Sequence, residues 1–237
     1  MENVPGLLIA TDESGQKVSD VLLAKFQQIG YRCVVWRLNA VEHGVPQVRK
    51  RTFIVGVEGK MEPSLPKPTT LGKRNLFDSD SLPVTVADAL GDLPSPVAVE
   101  PQAYNGGPST EYQCFLRTGS DALYNHTPSV HKPEMIERLR VQKPGTRLYP
   151  NWNHSWYKLD LARPSPTVKE NHRAPFVHPE EPRVTTPREC ARLQSFPDSY
   201  VFFGTKTAQL MQIGNAVPPL LAERIALSLA EALDRPL

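Results

Sequence analysis

The sequence predicts an α/β fold with a loop-rich middle, and three observations lead to this prediction. Near the N-terminus, a segment with helical spacing of apolar residues is followed by two segments rich in β-branched and aromatic residues. Most of the 24 prolines lie between residues 63 and 183. A second amphipathic segment closes the chain. With 237 residues, 40% of them hydrophobic, the chain is long enough to bury a core.

Composition also narrows the classes of function. The net charge of +2 does not by itself indicate a nucleic-acid partner. No apolar run approaches the roughly 18 residues of a membrane span, and no basic segment leads into an apolar stretch at the N-terminus. Cys33, Cys114 and Cys190 are far apart, and neither they nor the six histidines show metal-ligand spacing. We therefore expect a cytoplasmic protein with no membrane partner and no metal.

The first block, residues 1–60, carries the clearest secondary-structure signals. Apolar residues at helical spacing predict a helix over 16–29. Gly30 is placed to end it. The β-branched and aromatic runs at 31–38 and 52–57 predict two strands. A helix followed by two closely connected strands is typical of the closing edge of an α/β sheet.

The middle block, 61–160, is rich in proline and in aromatic residues scattered among polar ones. We predict two short helices there, over 84–93 and 133–141. Long loops without secondary structure of their own are usually functional or disordered, and the number of aromatic residues argues against disorder.

The last block, 161–237, combines turn and helix signals. The sequence PSPTV at 164–168 predicts a turn that enters a strand. Thr186 is placed to cap a helix that begins at Pro187, with a glutamate at the capping-box position. Residues 217–234 predict an amphipathic helix, with Asn215 near its cap and two prolines in its first turn.

Taken singly, the short motifs have ordinary structural interpretations. Glu-Asn-Val at 2–4 suits a frayed end, and Gly-Asn-Ala-Val-Pro-Pro at 214–219 suits a helix start. The charged run at 47–51 suits a solvated segment before a strand. It has a second interpretation, because alternate residues of an extended chain share a face. Gln47, Arg49 and Arg51 would then face one way, and two guanidinium groups suit phosphate oxygens or a carboxylate.

The order of the motifs is more specific than any one of them. ENV, GVPQVRKRTFIVG, RPSPTV, TPRECARLQSFPDSY and QIGNAVPP follow one another along nearly the whole chain. This series resembles the C-terminal half, from the ENV motif onward, of the bacterial DNA cytosine-5 methyltransferases of restriction–modification systems. The resemblance implies the C-terminal part of a Rossmann-like methyltransferase sheet plus a loop-rich target-recognition domain. Residues 1–60 would hold the ENV and QxRxR motifs, 61–160 the target-recognition region, and 161–237 the return to the catalytic domain.

The same resemblance implies a chemistry. Family enzymes flip a cytosine out of double-stranded DNA, add a cysteine thiolate to C6, and methylate C5 from S-adenosyl-L-methionine. Glu2, Arg49 and Arg51 match catalytic positions. Glu2 corresponds to the carboxyl group at cytosine N3, in a turn positioned by Asn3, and Arg51 to the arginine that lies against both O2 and Glu2. Arg49 corresponds to a DNA phosphate contact, and Gln47 counts among the DNA-binding positions while fixing the local backbone.

The final motif supplies part of the cofactor site in the resembling family. Asn215, Ala216 and Val217 are the matching positions for S-adenosyl-L-methionine. Many family members have serine or another small residue where this chain has Ala216, so a hydroxyl contact is lost there while a backbone contact can survive. The arginines of TPRECARLQSFPD are expected to be structural, and Cys190 within that motif is expected to be a buried apolar residue.

This chain also departs from the family pattern. It has no glycine-rich cofactor loop, and no proline directly precedes any of its three cysteines. We therefore expect the chain alone to transfer no methyl group. Two explanations remain open at this point: a split enzyme completed by a second chain, or a truncated reading frame. An alternative function is a non-catalytic, sequence-specific DNA-binding remnant or subunit.

Overall fold

A computed structural model describes residues 1–58, 63–69, 82–151, 156–169 and 176–233. Within them the three strands and seven α-helices are β1 Glu2–Asn3, α1 Val18–Gln28, β2 Tyr31–Asn39, β3 Lys50–Glu58, α2 Val86–Leu90, α3 Glu111–Arg117, α4 Pro133–Val141, α5 Pro187–Leu193, α6 Lys206–Asn215 and α7 Pro219–Ala232. Two 3₁₀ helices, Pro5–Leu8 and Ala40–His43, connect strands to their neighbours. None of the described helices is long and apolar enough to cross a membrane.

The strands form an antiparallel sheet in the order β1-β3-β2. Both outer strands meet β3 at the same residue, since Glu2 and Trp36 each lie opposite Phe53. The strand predictions for 31–38 and 52–57 are confirmed, and so is the helix prediction for 16–29, which α1 fulfils. Gly30 follows α1 with a φ of +91°, a conformation that glycine adopts without steric cost.

Helix α7 covers one face of this sheet. Trp36, Phe53 and Val55 from the strands pack with Leu221 and Ile225 of α7 in one apolar cluster. Successive strand residues alternate between faces, which explains why the cluster takes Val34, Trp36 and Leu38 from β2 and Phe53 and Val55 from β3. The last helix of the chain is thereby held against its first strands.

A second, larger core joins the middle of the chain to its C-terminal part. Helices α2, α3, α5 and α6 contribute to it, with Leu116, Leu159, Leu193 and Ile213 fully buried. Residues of the predicted middle and last blocks therefore share one core. Core burial at these positions stabilises the arrangement by about 1.5–3 kcal/mol per large apolar side chain.

Local sequence signals predicted helices α4 and α5 but not α3 and α6. Helix α4 confirms the prediction over 133–141, and α5 begins at Pro187 with the predicted capping box between Thr186 and Glu189. Helices α3 and α6 were not predicted. Each begins after a threonine, Thr110 or Thr205, whose side chain accepts a hydrogen bond from a backbone N–H three residues on.

One prediction for the last block is wrong. Residues 164–168 do not enter a strand; they run extended beside the segment before β3, with a single parallel bridge between Gln47 and Ser165. The helix predicted over 217–234 is confirmed by α7, but Asn215 does not lie at its start: it is the final residue of α6. The two prolines at 218 and 219 separate the helices, because proline cannot continue the hydrogen-bond ladder of a preceding helix.

Helix α5 carries a buried charged network. This agrees with the structural role expected for the arginines of this helix. Arg192 is fully buried and donates to Asp198 over 3.0 and 2.5 Å and also to Asp92. Burial lowers the pKa of Arg192, but its hydrogen bonds to the two carboxylates outweigh that effect and raise it overall. Arg188 donates to the carbonyls of Tyr124 and Tyr200 at 2.9 and 2.8 Å. These side chains anchor the loops around α5.

Candidate active site

The pairing of β1 with β3 places Glu2 and Arg51 together. Glu2 lies opposite Phe53, and the backbone of Met1 exchanges two hydrogen bonds with Ile54, at 2.7 and 2.9 Å. Arg51 is two residues from Phe53 and therefore on the same face as Glu2. Diagonal neighbours of this kind are within reach of long side chains in an antiparallel sheet.

The two side chains form an ion pair that remains open to solvent. Arg51 Nε lies 2.8 Å from Glu2 Oε1, and the side chains are 14% and 27% exposed. Arg51 Nη1 donates to the carbonyl of Lys50 at 2.9 Å. A guanidinium has five N–H donors, and Nη2 has no partner among the described residues, nor has Glu2 Oε2. The pair therefore presents both a donor group and a carboxylate oxygen to a ligand.

Asn3 lies at the turn that carries the pair. Its Oδ1 accepts a hydrogen bond from the backbone N–H of Val4 at 2.8 Å, just before the 3₁₀ helix Pro5–Leu8. Leu7 of that helix is buried, and the helix packs against β3. The turn thus follows directly on β1 and is fixed to the strand from which Arg51 projects.

Arg49 has a different environment from Arg51. It is 1% exposed, and its guanidinium donates to the carbonyls of Val168 at 2.8 Å, Gly214 at 2.8 Å and Ala216 at 3.0 Å. This burial argues against the predicted contact of Arg49 with a DNA phosphate at the catalytic site, which stays a prediction. Its side chain is enclosed by the 164–168 segment and by the end of α6, and it joins the two.

Gln47 is likewise buried, which argues against a direct DNA contact of its side chain. Its Nε2 donates to the carbonyl of Leu193 at 3.0 Å and to Gln194 Oε1 at 2.9 Å, while its Oε1 accepts from the N–H of Val168 at 3.0 Å. This geometry agrees with the backbone-fixing part of the expectation. Arg49 and Arg51 differ in what packs against them: the end of α6 encloses Arg49, whereas Arg51 lies beside Glu2 at the sheet edge.

Sequence reasoning missed Gln194, which completes this buried arrangement. Its side chain is fully buried, and Nε2 donates to the carbonyls of Ile213 at 2.6 Å and Ala216 at 3.3 Å. We call Gln47, Arg49 and Gln194 the buried hub. In the sequence, Gln194 is a polar residue that follows the apolar end of a helix. This pattern is too common to identify a functional residue.

The hub determines where the residues at the end of α6 lie. Ala216 and Val217 are half-buried, and Val217 packs against the sheet cluster under α7. Asn215 is exposed, and its side chain has no hydrogen bond to any described residue. The amide of Asn215 is thus free to bind a ligand, whereas the carbonyls of its two neighbours are occupied by Arg49.

None of the cysteines has the setting of an activated nucleophile. Cys190 is 2% exposed, and burial raises its pKa to about 12. This confirms its interpretation as a buried apolar residue. Burial also raises the pKa of Cys33 on β2, and Cys114 lies exposed on α3. The described residues hold no group of three or more histidine, cysteine or acidic side chains that could bind a metal.

Comparison with known proteins now places the chain. The sequence model of the C-5 cytosine-specific DNA methylases matches residues 1–231. The chain belongs to this family. Family members use S-adenosylmethionine as methyl donor.

Several members of the methylase family are similar over nearly the whole chain. The type II methyltransferase M.DdeI of Desulfomicrobium norvegicum is 34% identical over 95% of this chain and 61% of its own length. M1.HphI of Haemophilus parahaemolyticus is 33% identical over 95% of this chain and 54% of its own length. The chain thus spans little more than half the length of these curated relatives.

A solved structure supports the fold assignment. A crystal structure from an Escherichia coli prophage, assigned as a DNA modification methyltransferase, matches with a TM-score of 0.77 and 27% identity. The match covers 99% of this chain and 69% of that one. The α/β fold predicted from sequence is confirmed at this level.

The buried hub is expected to contribute to the stability of this chain. Replacing Arg49 by methionine is expected to lower the free energy of unfolding by about 2–4 kcal/mol, because the carbonyls of Val168 and Gly214 lose the guanidinium and that of Ala216 keeps only Gln194. Arg49→Lys should recover only part of the loss, since an ammonium group lacks the planar fork of donors. Urea denaturation measures both. A loss under about 0.5 kcal/mol for Arg49→Met would show that the carbonyls are satisfied without the hub.

Proposed function

We propose that this chain is the base-activating portion of a DNA (cytosine-5) methyltransferase, acting on a flipped cytosine in double-stranded DNA with S-adenosylmethionine as methyl donor. The observation that carries the proposal is the Glu2–Arg51 ion pair at the edge of the sheet. A pure DNA-binding remnant has no need of this pair, so the pair favours the catalytic function over the binding alternative.

The chemistry of the pair suits the activated base. Addition of a nucleophile to C6 develops charge on the cytosine ring around N3 and O2. A carboxyl group placed at N3 and a guanidinium placed at O2 stabilise that charge, and such groups lower a barrier most when they are already oriented. The ion pair with Glu2 and the bond to the Lys50 carbonyl hold the Arg51 guanidinium in one orientation.

The end of α6 fits a role in holding the cofactor. S-adenosylmethionine supplies the methyl group and offers amine, carboxylate, hydroxyl and adenine groups for hydrogen bonding. Asn215 has a free side-chain amide, while Ala216 and Val217 give a small and an apolar surface beside it. The hub holds the backbone at 214–216 through its carbonyls. These three residues would contribute part of the site, with the remainder supplied from elsewhere.

The proposed enzyme needs groups that these 237 residues do not provide, namely a glycine-rich cofactor loop and a cysteine nucleophile after proline. They would come from further residues of the same polypeptide or from a second chain. One relative supports the second arrangement. M.AquIB of Picosynechococcus is 38% identical over 125 residues, which make up 47% of this chain and 90% of its own length, so the family includes a member shorter than this chain.

Reconstitution tests the proposal. The DNA flanking this gene is translated in all frames to find the glycine-rich loop and the Pro-Cys motif, and the polypeptide that carries them is produced together with this chain. Transfer of labelled methyl groups to DNA is expected from the combination and not from either part alone. Bisulfite sequencing then locates the methylated cytosine. Methyl transfer by this chain alone, or none by the combination, would contradict the proposal.

A further inference from the structure

Helix α4 and the segment after it concentrate the positive charge of the chain. Residues 132–149 contain five basic and two acidic side chains, whereas the rest of the chain has 22 basic and 23 acidic residues. The five basic residues are exposed; they are Lys132, Arg138, Arg140, Lys143 and Arg147. The small net charge of the whole protein therefore conceals a local excess of positive charge.

This segment is a fixed structural unit. After α4 the chain turns at Gly145, whose N–H donates to the Lys158 carbonyl at 2.9 Å, and Arg147 pairs with Tyr157 in an antiparallel bridge. The Lys158 ammonium in turn donates to the carbonyl of Leu139 in α4 at 3.2 Å. The basic side chains are thus carried by a helix and a paired segment that are bonded to each other.

Aromatic side chains lie among these charges. The Arg138 guanidinium stands 5.0 Å from the centre of the Tyr149 ring. Trp156 lies edge-on to His131 with ring centroids 5.9 Å apart, and its φ is +59°. A bulky residue keeps such a backbone conformation only where its surroundings impose it. The contact with the Tyr149 ring fixes the position of one of the five positive charges.

A cavity of about 420 Å³ opens in the same unit. It is lined by Gly145, Thr146, Arg147, Pro150 and Tyr157. Arg147 is the charged residue of that lining, and it is exposed. A planar guanidinium at such an opening is suited to bidentate bonding with phosphate oxygens or with a base edge.

We propose that residues 132–149, which we call the basic hairpin surface, bind the DNA duplex. Lys143 and Arg147 form hydrogen bonds or ion pairs with the substrate. The inference rests on the proposed function and assigns its DNA contacts to α4 and residues 143–149. Because the side chains of Gln47 and Arg49 are buried, we expect the DNA-binding residues on the basic hairpin surface instead.

Salt-dependent binding tests the assignment. Fluorescence anisotropy measures binding of the full chain to a labelled 24-base-pair duplex of mixed sequence over a range of salt concentrations. For the double variant K143A/R147A we expect weakening on the order of tenfold or more at 0.1 M salt. We also expect a slope of log K against log salt that is shallower by about 1.8, at about 0.9 for each lost phosphate contact. The matched control is K17A/K25A, which removes two exposed lysines at α1, and it should leave both quantities unchanged.

The binding results test the basic hairpin surface separately from the proposed catalytic function. Equal binding by K143A/R147A and the wild type, equal losses in the control, or no binding by the wild-type chain at 0.05 M salt would overturn the assignment. Tighter binding of a duplex RNA of the same sequence would overturn the choice of DNA. Methyl transfer by the reconstituted enzyme is measured separately, so the proposed function can stand while this surface fails, and the reverse. Circular dichroism melting of each variant confirms that folding is preserved.

Discussion

Replacing Glu2 by alanine in the reconstituted enzyme is expected to lower the rate of methyl transfer by about 10²–10³-fold, the range found when one oriented group is removed from a developing charge. Glu2 is partly exposed and forms its ion pair at the sheet edge, so its loss should change the free energy of unfolding by no more than about 1 kcal/mol. Single-turnover assays with labelled S-adenosylmethionine measure the chemical step.

Arg51→Ala should have an effect of similar size, and the double variant should be little worse than either single one, because residues that act as a unit are strongly non-additive. Matched controls are Glu13→Ala and Lys50→Ala, which remove an exposed acid and the exposed base next to Arg51. Both should retain full activity. Wild-type rates in Glu2→Ala or Arg51→Ala, or losses fully accounted for by unfolding, would remove the pair from the reaction.

Replacing Arg192 by methionine is expected to lower the free energy of unfolding by about 3–5 kcal/mol. The change leaves Asp92 with only Arg117, and Asp198 with only Tyr104 and the more distant Arg188, and removing one partner from a buried ion network is costly. Arg192 and Asp198 are fully buried and Asp92 is 3% exposed, so water cannot replace the lost hydrogen bonds without opening the core. Equilibrium denaturation in urea measures the difference.

The matched control for this prediction is Arg163→Ala. Arg163 also pairs with an aspartate, Asp160, at 3.4 Å, but its side chain is 75% exposed. Exposed ion pairs contribute about 0–1 kcal/mol, so its replacement should be nearly neutral. Similar losses of unfolding free energy for the Arg192 and Arg163 variants would show that burial does not explain the contribution of the Arg192 network to stability.

Local signals predicted those elements whose residues carry the pattern within their own length. The β-branched runs of β2 and β3 and the capping box of α5 belong to this class, because propensity and capping act over a few residues. Helices α3 and α6 were missed although each begins after a capping threonine; both pack into the larger core, which stabilises such helices more than their own sequence does. The strand expected at 164–168 failed because no neighbouring strand is there beyond one bridge.

The candidate site shows the same division. Family resemblance singled out Glu2, Arg51 and Asn215, and the structure places the first two in contact and the third at an exposed helix end. The resemblance also gave Arg49 and Gln47 a role at the DNA, and the structure buries both. The local sequence cannot show this burial, because the carbonyls that bind Arg49 belong to residues 168, 214 and 216.

The α/β class, the helices and strands with strong local signals, and the likeness to the methylase family could all be predicted from the residues and the order of their motifs. Which polar residues are exposed and which are buried depends on tertiary packing. Arg49 and Arg51 are two residues apart, yet Arg49 binds three carbonyls from distant segments and Arg51 forms a partly exposed ion pair with Glu2. Partners separated by 49 to 167 residues come together only when the strands pair and the core packs, and no local pattern encodes that distance.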